Sequence, residues 1–274
     1  MGPRLTEDVF TQLCSQGYAI VPRYFPEEQR AAMAQALRRL LKPWEQVRDE
    51  PPPNSRDAYY FPYPEQVLNQ AILDREAIAF ARRWLGTDHI QYRPGLGLVT
   101  YPGAKGDGER AHIDNGNNSL LPATHTDRRH SQLIFWFYLE DVDEDQAPTR
   151  FLATADGQDT SRAVPMVAPG GSLGIFHNYT WHAASDYTRS DGQRYVWKFA
   201  YGRADHSWEG VAHYTHVGQD PHFRAFIGSL PAHDRELFRF PPAGHPYYDA
   251  QTLQALEEQY PGWNKGGEYG PATT

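Results

Sequence analysis

Two histidines and one aspartate in this chain have the types and spacing of a metal site. His112 and Asp114 are separated by one residue, so on an extended strand the imidazole and the carboxylate lie on the same face. His182, far along the chain, can add a third ligand from another strand. Two histidines and one carboxylate on one side of an ion, with the other positions open, are typical of non-haem Fe(II) oxygenases. The pattern therefore predicts oxidative chemistry at an iron centre.

Arg194 follows His182 closely and opens a segment rich in β-prone residues. An arginine on a strand beside the metal site would be buried, and a buried arginine needs an anionic partner. Its planar guanidinium can donate two parallel hydrogen bonds to one carboxylate. The partner is either an aspartate or glutamate of the chain or a small dicarboxylate cosubstrate, and the sequence leaves both open.

The chain contains 12 histidines, so other ligand sets have to be weighed. His125 and Asp127 form a second His-x-Asp pair, but they lie in a connection rich in Thr, Asp and Arg without a preceding strand. His112 follows a strand and a glycine-rich turn, which favours the first pair. His177 competes with His182, and strand alternation alone does not decide between them. The Trp-His context and the spacing to Arg194 favour His182.

Composition indicates an ordinary globular protein, with 274 residues, 40% of them hydrophobic, and a net charge of −8. The negative charge argues against nonspecific binding to nucleic acid or to an anionic membrane surface. There is no run of about 18 apolar residues that could span a bilayer, and residues 1–8 lack the apolar core of a secretory signal. The single cysteine, Cys14, is expected to be buried in a helix. We therefore expect a cytoplasmic protein with neither nucleic acid nor membrane as partner, and of unpredicted oligomeric state.

Capping residues and hydrophobic periodicity predict several helices and one loop. The predicted helices are Thr6 to Gln16, Pro26 to about Leu41, Asp74 to Leu85 and Asp249 to Gln259. The segment Glu50 to Pro64 is rich in proline and aromatic residues and is predicted to be a loop.

Bulky β-prone segments separated by Pro, Gly, Asp and Ser clusters predict a sandwich or jelly roll. The predicted strands are Tyr18–Val21, Ile90–Tyr101, Ser131–Val142, Phe151–Thr154, Leu173–Phe176 and Arg194–Tyr201. We expect a single domain over residues 1–274, with N-terminal helices in 1–89, a β core at about 90–204 and a helical extension in 205–274.

Several ordered motifs together resemble the phytanoyl-CoA dioxygenase family of Fe(II)/2-oxoglutarate oxygenases, almost from end to end. The matching stretches are Gly17-Tyr18-Ala19-Ile20-Val21-Pro22, Phe25-Pro26-Glu27-Glu28, His112-x-Asp114, Phe137-Tyr138-Leu139-Glu140-Asp141-Val142, Thr180-Trp181-His182 with Arg194, and Phe240-Pro241-Pro242-x-Gly244-His245-Pro246-Tyr247. The last stretch is found in a bacterial subgroup.

The resemblance implies a mainly β fold with flanking helices, a cupin-like double-stranded β-helix or jelly roll. It implies Fe(II) held by His112, Asp114 and His182. Cosubstrate contacts are implied for Arg194, which would bind the distal carboxylate of 2-oxoglutarate, and for Ser185, Tyr101 and Trp136. The implied reaction uses O2, releases succinate and CO2, and hydroxylates or otherwise oxidises a small molecule, expected to be a bacterial secondary-metabolite intermediate.

Two other functions compete with this interpretation. The stretch Gly170-Gly171-Ser172-Leu173-Gly174 matches the Gly-x-Ser-x-Gly elbow of serine hydrolases, with Asp186 and His206 downstream in the required order. That elbow must join a strand to a helix, whereas the residues after Ser172 are strand-like, so the match is interpreted as accidental. A metal-free binding module of the same fold is the other alternative, although all three ligand types are present.

Overall fold

The computed structural model describes residues 2–114, 128–205 and 218–269. The α-helices in these ranges are α1 (Glu7–Gln16), α2 (Glu27–Leu40), α3 (Trp44–Val47), α4 (Gln66–Ala71), α5 (Arg75–Leu85), α6 (Pro221–Ser229), α7 (Ala232–Arg235) and α8 (Ala250–Gln259). The strands are β1 (Tyr18–Val21), β2 (Arg56–Tyr60), β3 (Ile90–Thr100), β4 (Leu133–Tyr138), β5 (Thr149–Phe151), β6 (Val164–Pro165), β7 (Ser172–His177), β8 (His182–Ala184) and β9 (Arg194–Arg203).

The strands form two antiparallel sheets. The larger sheet has six strands in the order β1-β7-β4-β9-β3-β2, and the smaller has three in the order β6-β5-β8. Neighbouring strands of the larger sheet come from distant parts of the chain, since β4 lies between β7 and β9. The expected mainly β architecture with flanking helices is confirmed.

Side chains alternate between the two faces of the larger sheet and build two separate cores. On β4, Phe135 and Phe137 join the large cluster that contains the helices. Ile134 and Tyr138 of the same strand pack instead with Phe151 of the smaller sheet. Because successive side chains of a strand point to opposite faces, odd-numbered residues of β4, β7 and β9 face the helices. Even-numbered residues face the space between the sheets.

Helix α1 begins and ends as its sequence predicts. The side chain of Thr6 accepts a hydrogen bond from the backbone N–H of Val9, and Gly17 ends the helix with a φ of 83°, a left-handed conformation that glycine adopts without strain. The expectation that Cys14 is buried is wrong, because its side chain is exposed. The buried stripe of α1 runs through Phe10 and Leu13 and is too narrow to include the thiol.

The prediction of a loop from Glu50 to Pro64 is wrong in its centre, where β2 forms. This strand pairs with β3 at the edge of the larger sheet, with Tyr59 opposite Gly97. The prolines stand on either side of the strand, and residues 54–61 between them contain none. An edge strand needs a partner on one side only, so the aromatic centre of the segment extends the sheet.

The strand predicted at Phe151–Thr154 is misplaced, because β5 covers Thr149–Phe151 and a 3-10 turn begins at Thr154. The remaining predicted elements are confirmed, with shifts of a few residues at their ends. Strand β3 continues through Pro94-Gly95 because its pairing with β9 changes register between Arg93 and Leu96. A bulge of this kind absorbs the interruption that proline makes in a ladder of hydrogen bonds. In the described ranges, no helix combines the length and apolarity needed to cross a bilayer.

Candidate metal centre

His112 and His182 are brought together by a backbone pairing that the sequence does not reveal. The N–H of His112 donates to the carbonyl of His182 at 2.9 Å, and the N–H of His182 donates to the carbonyl of His112 at 2.9 Å. Two residues that exchange both hydrogen bonds stand directly opposite each other in an antiparallel ladder, with their side chains on the same face. The two imidazole rings accordingly lie 4.3 Å apart between centroids.

Asp114 completes a cluster of three potential ligands. Its Oδ1 lies 3.6 Å from Nε2 of His182, and one ligand atom from each of the three residues lies within 4.8 Å of the others. No other group of three or more His, Cys, Asp or Glu side chains within the described ranges comes together in this way. Ligand atoms about 2.1 Å from an ion and at right angles to one another are about 3 Å apart, so small movements would bring this set around one ion.

The ring of His182 is oriented by the backbone. Nδ1 lies 2.9 Å from the carbonyl oxygen of Thr180, so Nδ1 carries the proton and the lone pair of Nε2 faces Asp114. Burial lowers the pKa of His182, and the carboxylate of Asp114 opposes this shift. The imidazole is therefore neutral near pH 7, the form that binds a metal ion.

A carboxylate stands behind the other histidine. Oδ2 of Asp107 is 3.6 Å from Nδ1 of His112 and also accepts a hydrogen bond of 2.6 Å from the backbone N–H of Ala184. A carboxylate at Nδ1 of a ligating histidine fixes its tautomer and raises its basicity. At 3.6 Å the two atoms are farther apart than in a hydrogen bond, so Asp107 is a neighbour that can take this position once a metal ion is bound at Nε2 of His112.

Arg194 is buried, with 4% of its surface exposed, and it lies opposite Thr100 in the pairing of β9 with β3. Its guanidinium donates to the carbonyl of Ala147 and, at 3.1 Å, to Oγ1 of Thr100. Its Nε is buried and has no acceptor among the described residues. No carboxylate of the described residues forms an ion pair with it, and burial lowers the pKa of the guanidinium. The sequence left open whether the partner of Arg194 is a carboxylate of the chain or a dicarboxylate cosubstrate. No carboxylate partner of the chain is found in the part that the structure describes.

Of the competing histidines, His177 lies within the described residues, and it does not join this cluster. His177 shares the parity of Leu173 and Ile175 on β7 and therefore faces the helices. It stacks on Trp84 with ring centroids 5.7 Å apart, and burial lowers its pKa to about 4. The pair His125 and Asp127 lies outside the described residues, as do the polar loop residues Asn115 to Asn118.

The residues expected to contact the cosubstrate occupy different places. Trp136 lies on the face of β4 that looks between the sheets, and its Nε1 is buried without an acceptor. Ser185 is half-buried and directly follows β8. Tyr101 lies instead in the core that includes the helices, where its hydroxyl donates to the carbonyl of Lys42. The structure therefore does not bring Tyr101 to the ligand cluster, because it follows β3 with the parity of Val99 rather than of Thr100.

Ser172 does not have the setting of a hydrolase nucleophile. It begins strand β7, is fully buried, and its hydroxyl donates to the carbonyl of Pro169 at 2.6 Å. The same oxygen accepts a hydrogen bond from the N–H of Arg23. A nucleophile elbow must join a strand to a helix and expose its hydroxyl. His206, the histidine of the Ser-Asp-His set considered for a hydrolase, lies outside the described residues.

Four residues beside this centre were given no role in the sequence analysis: Asp107, Thr180, Thr100 and Lys198. Asp107 accepts a hydrogen bond from the distant Ala184, and Thr180 acts through its backbone carbonyl, so no local pattern of side chains identifies either residue. Thr100 and Lys198 could have been found by counting parity from Arg194, since residues two, four or six apart on a strand share a face.

Comparison with known proteins gives a consistent picture of family and fold. A family model described as phytanoyl-CoA dioxygenase matches residues 13–196, while no curated protein sequence matches the chain. HygX from Streptomyces hygroscopicus, solved with nickel and 2-oxoglutarate bound, is similar in structure with a TM-score of 0.57 and 15% identity over 75% of this chain and 90% of that one.

Two enzymes of nogalamycin biosynthesis are similar to the same degree. The non-haem α-ketoglutarate-dependent carbocyclase SnoK has a TM-score of 0.57 and 18% identity over 79% of this chain and 93% of its own. The epimerase SnoN has a TM-score of 0.56 and 15% identity over 72% and 83%. These likenesses confirm the jelly-roll type of fold expected from the sequence.

Proposed function

The chain belongs to the phytanoyl-CoA dioxygenase family, and from that premise we propose that it is an Fe(II)- and 2-oxoglutarate-dependent dioxygenase acting on a small molecule. The observation that carries the proposal is the convergence of His112, Asp114 and His182 from separate parts of the chain. Their ligand atoms lie within 4.8 Å of one another. Two imidazoles and one carboxylate suit Fe(II) and leave coordination positions for other ligands.

The residues around the cluster fit a metal ion rather than a purely structural role. Both imidazoles have a group at Nδ1, the carbonyl of Thr180 for His182 and the carboxylate of Asp107 for His112. Groups in that position are the usual partners of ligating histidines. Burial keeps His182 neutral, and a neutral imidazole gains nothing from lying beside a carboxylate unless a cation joins them.

Arg194 supports the choice of cosubstrate. A buried guanidinium whose described partners are neutral oxygens is an uncompensated charge, which is costly unless an anion reaches it. We propose that Arg194 binds the distal carboxylate of 2-oxoglutarate, with Trp136 and Ser185 as further contacts. Fe(II) with bound 2-oxoglutarate supplies the oxidation of a substrate C–H bond by O2, coupled to conversion of 2-oxoglutarate to succinate and CO2.

The substrate class is inferred from the similar structures. HygX has been solved with hygromycin B bound, and SnoN and SnoK belong to nogalamycin biosynthesis. Hygromycin B and nogalamycin are both small organic molecules. We propose that this chain likewise modifies an intermediate of secondary metabolism, by hydroxylation or by another oxidation that uses the same three ligands.

The test is reconstitution without oxygen, followed by turnover. Protein loaded with Fe(II) should retain one ion per chain after desalting, and admission of O2 with 2-oxoglutarate should release succinate slowly even without substrate. Candidate small molecules are then screened for acceleration of succinate release. Failure to retain iron at neutral pH would contradict the proposal and favour a metal-free binding module.

A further inference from the structure

Lys198 is a second cation on the face of β9 that looks between the sheets. It is four residues from Arg194, so the two side chains share a face of the strand, about 13 Å apart along the backbone. Trp136 stands opposite Lys198 on β4 and Leu96 stands opposite it on β3. The ammonium lies 5.2 Å from the centroid of the Trp136 ring, a cation–π contact.

Within the described ranges, neither polar group of this pair has a hydrogen-bond acceptor. Nε1 of Trp136 is buried and unpaired, and among the described residues no hydrogen bond or ion pair is formed by Lys198. Both groups are donors only, so together they call for an acceptor that carries negative charge. The apolar neighbours Leu96 and Leu98 leave them no such group within the sheet.

Lys198 is linked to the metal ligands through aromatic rings. The Trp136 ring that it contacts lies 6.4 Å from the Phe176 ring between centroids, and the Phe176 ring lies 5.1 Å from the ring of His182. Lys198 therefore faces the region in which a substrate would meet the iron rather than the far end of the cosubstrate site, where Arg194 lies.

On the proposed function, Arg194 binds the distal carboxylate of 2-oxoglutarate and Fe(II) binds its other end, so neither end of the cosubstrate needs Lys198 as a partner. A half-buried ammonium that forms no ion pair with the described residues favours an anionic group beside it.

We propose that Lys198 is a specificity-determining residue that binds an anionic group of the substrate, a carboxylate or phosphate. This inference rests on the proposed function and narrows its substrate class to small organic anions.

The experiment uses the full chain loaded with Ni(II) and saturated with 2-oxoglutarate, so that no turnover occurs. Binding of 4-fluorobenzoate and of its neutral analogue 4-fluorobenzamide is followed by fluorine NMR. We expect the benzoate to bind at least tenfold more tightly than the amide. Lys198→Met should abolish that preference while Lys198→Arg keeps it, and both variants should retain the melting temperature of the parent. Lys105→Met is the matched control, because Lys105 is 81% exposed and paired with Asp186.

Three results would overturn the proposal. The first is equal affinity for benzoate and benzamide, or no binding of either. The second is an unchanged preference in Lys198→Met, which would leave the ammonium without a role. The third is displacement of 2-oxoglutarate by benzoate, or a tenfold loss of 2-oxoglutarate affinity in Lys198→Met, which would assign Lys198 to the cosubstrate. A parent protein that binds neither Ni(II) nor 2-oxoglutarate would instead refute the proposed function.

Discussion

Replacing Arg194 by methionine removes the buried guanidinium while keeping a long unbranched side chain in its place. In the structure this guanidinium has neutral partners, the carbonyl of Ala147 and Oγ1 of Thr100, and its Nε has none. If Arg194 binds the distal carboxylate of 2-oxoglutarate, the variant leaves that carboxylate buried and unpaired.

The expected loss of affinity follows from the burial of Arg194. Removing one partner of a buried, hydrogen-bonded charge pair costs about 2–5 kcal/mol. A value of about 3 kcal/mol weakens 2-oxoglutarate binding by about 150-fold, since about 1.4 kcal/mol corresponds to a factor of ten. Arg194→Lys keeps the charge but loses the second parallel hydrogen bond, and we expect a smaller loss of about tenfold.

The stability of the ligand-free protein should respond differently. Each hydrogen bond from the guanidinium contributes about 1.5–3 kcal/mol, and burial of an unpaired cation costs several kcal/mol. These two effects have opposite signs and similar size. The free energy of unfolding of Arg194→Met without ligand should therefore lie within about 2 kcal/mol of the parent value.

Calorimetric titration of Ni(II)-loaded protein with 2-oxoglutarate measures the affinity, and urea unfolding of the same variants measures the stability. Arg39→Met is the control, since Arg39 is exposed and paired with Glu65, and its 2-oxoglutarate affinity should equal that of the parent. An affinity of Arg194→Met within threefold of the parent would refute the assignment. A fully folded variant is needed for that conclusion, and urea unfolding establishes it.

Three further results are expected. Asp114→Ala and His182→Ala should each abolish retention of Fe(II) and metal-dependent succinate formation. Tyr101→Phe, on the other face of the sheet, should retain both. Full turnover in either ligand variant would exclude that residue from the metal site. Asp107→Asn should weaken Ni(II) binding by about 10–100-fold, because a neutral amide polarises Nδ1 of His112 less than a carboxylate does. The metal dissociation constant is measured by competition with a chelator, and an unchanged value would show that the 3.6 Å contact is incidental. Burial lowers the pKa of His177 from 6.5 to about 4, so between these pH values the unfolded chain binds a proton that the folded chain does not. The parent should therefore lose about 3 kcal/mol more stability than His177→Gln as the pH falls from 6.5 to 4. Urea denaturation that shows the same loss of stability in both proteins over this range would contradict the assignment.

The elements that the sequence predicted correctly are those with strong local signals. Thr6 and Gly17 mark the ends of α1, Asp74 caps α5, and the bulky run from Leu133 to Tyr138 forms β4. Each of these signals lies within the element or next to it. The prediction of a loop around β2 was wrong because the prolines lie only at the ends of this segment, whereas its centre pairs with β3 as a strand.

The assignment of Tyr101 shows a second limit of the sequence. A side chain on a strand faces one of two sides, and a displacement of one residue moves it to the other. Thr100 lies beside Arg194, while Tyr101 belongs to the core that contains the helices. Residue types alone did not establish whether the odd- or the even-numbered side chains of a strand face the space between the sheets. The packing of one face against the helices established it.

The sequence by itself determined the set of candidate ligands, the arginine after them and the β-rich architecture, because residue type, period-two alternation and capping are properties of neighbouring residues. Tertiary structure alone decided which histidines meet, since the reciprocal hydrogen bonds of His112 and His182 join segments far apart in the chain. It also decided that Arg194 and Lys198 face the same space without a carboxylate of the described residues to neutralise them. The net charge around a buried side chain depends on every strand that packs against it, and no single stretch of sequence contains that information.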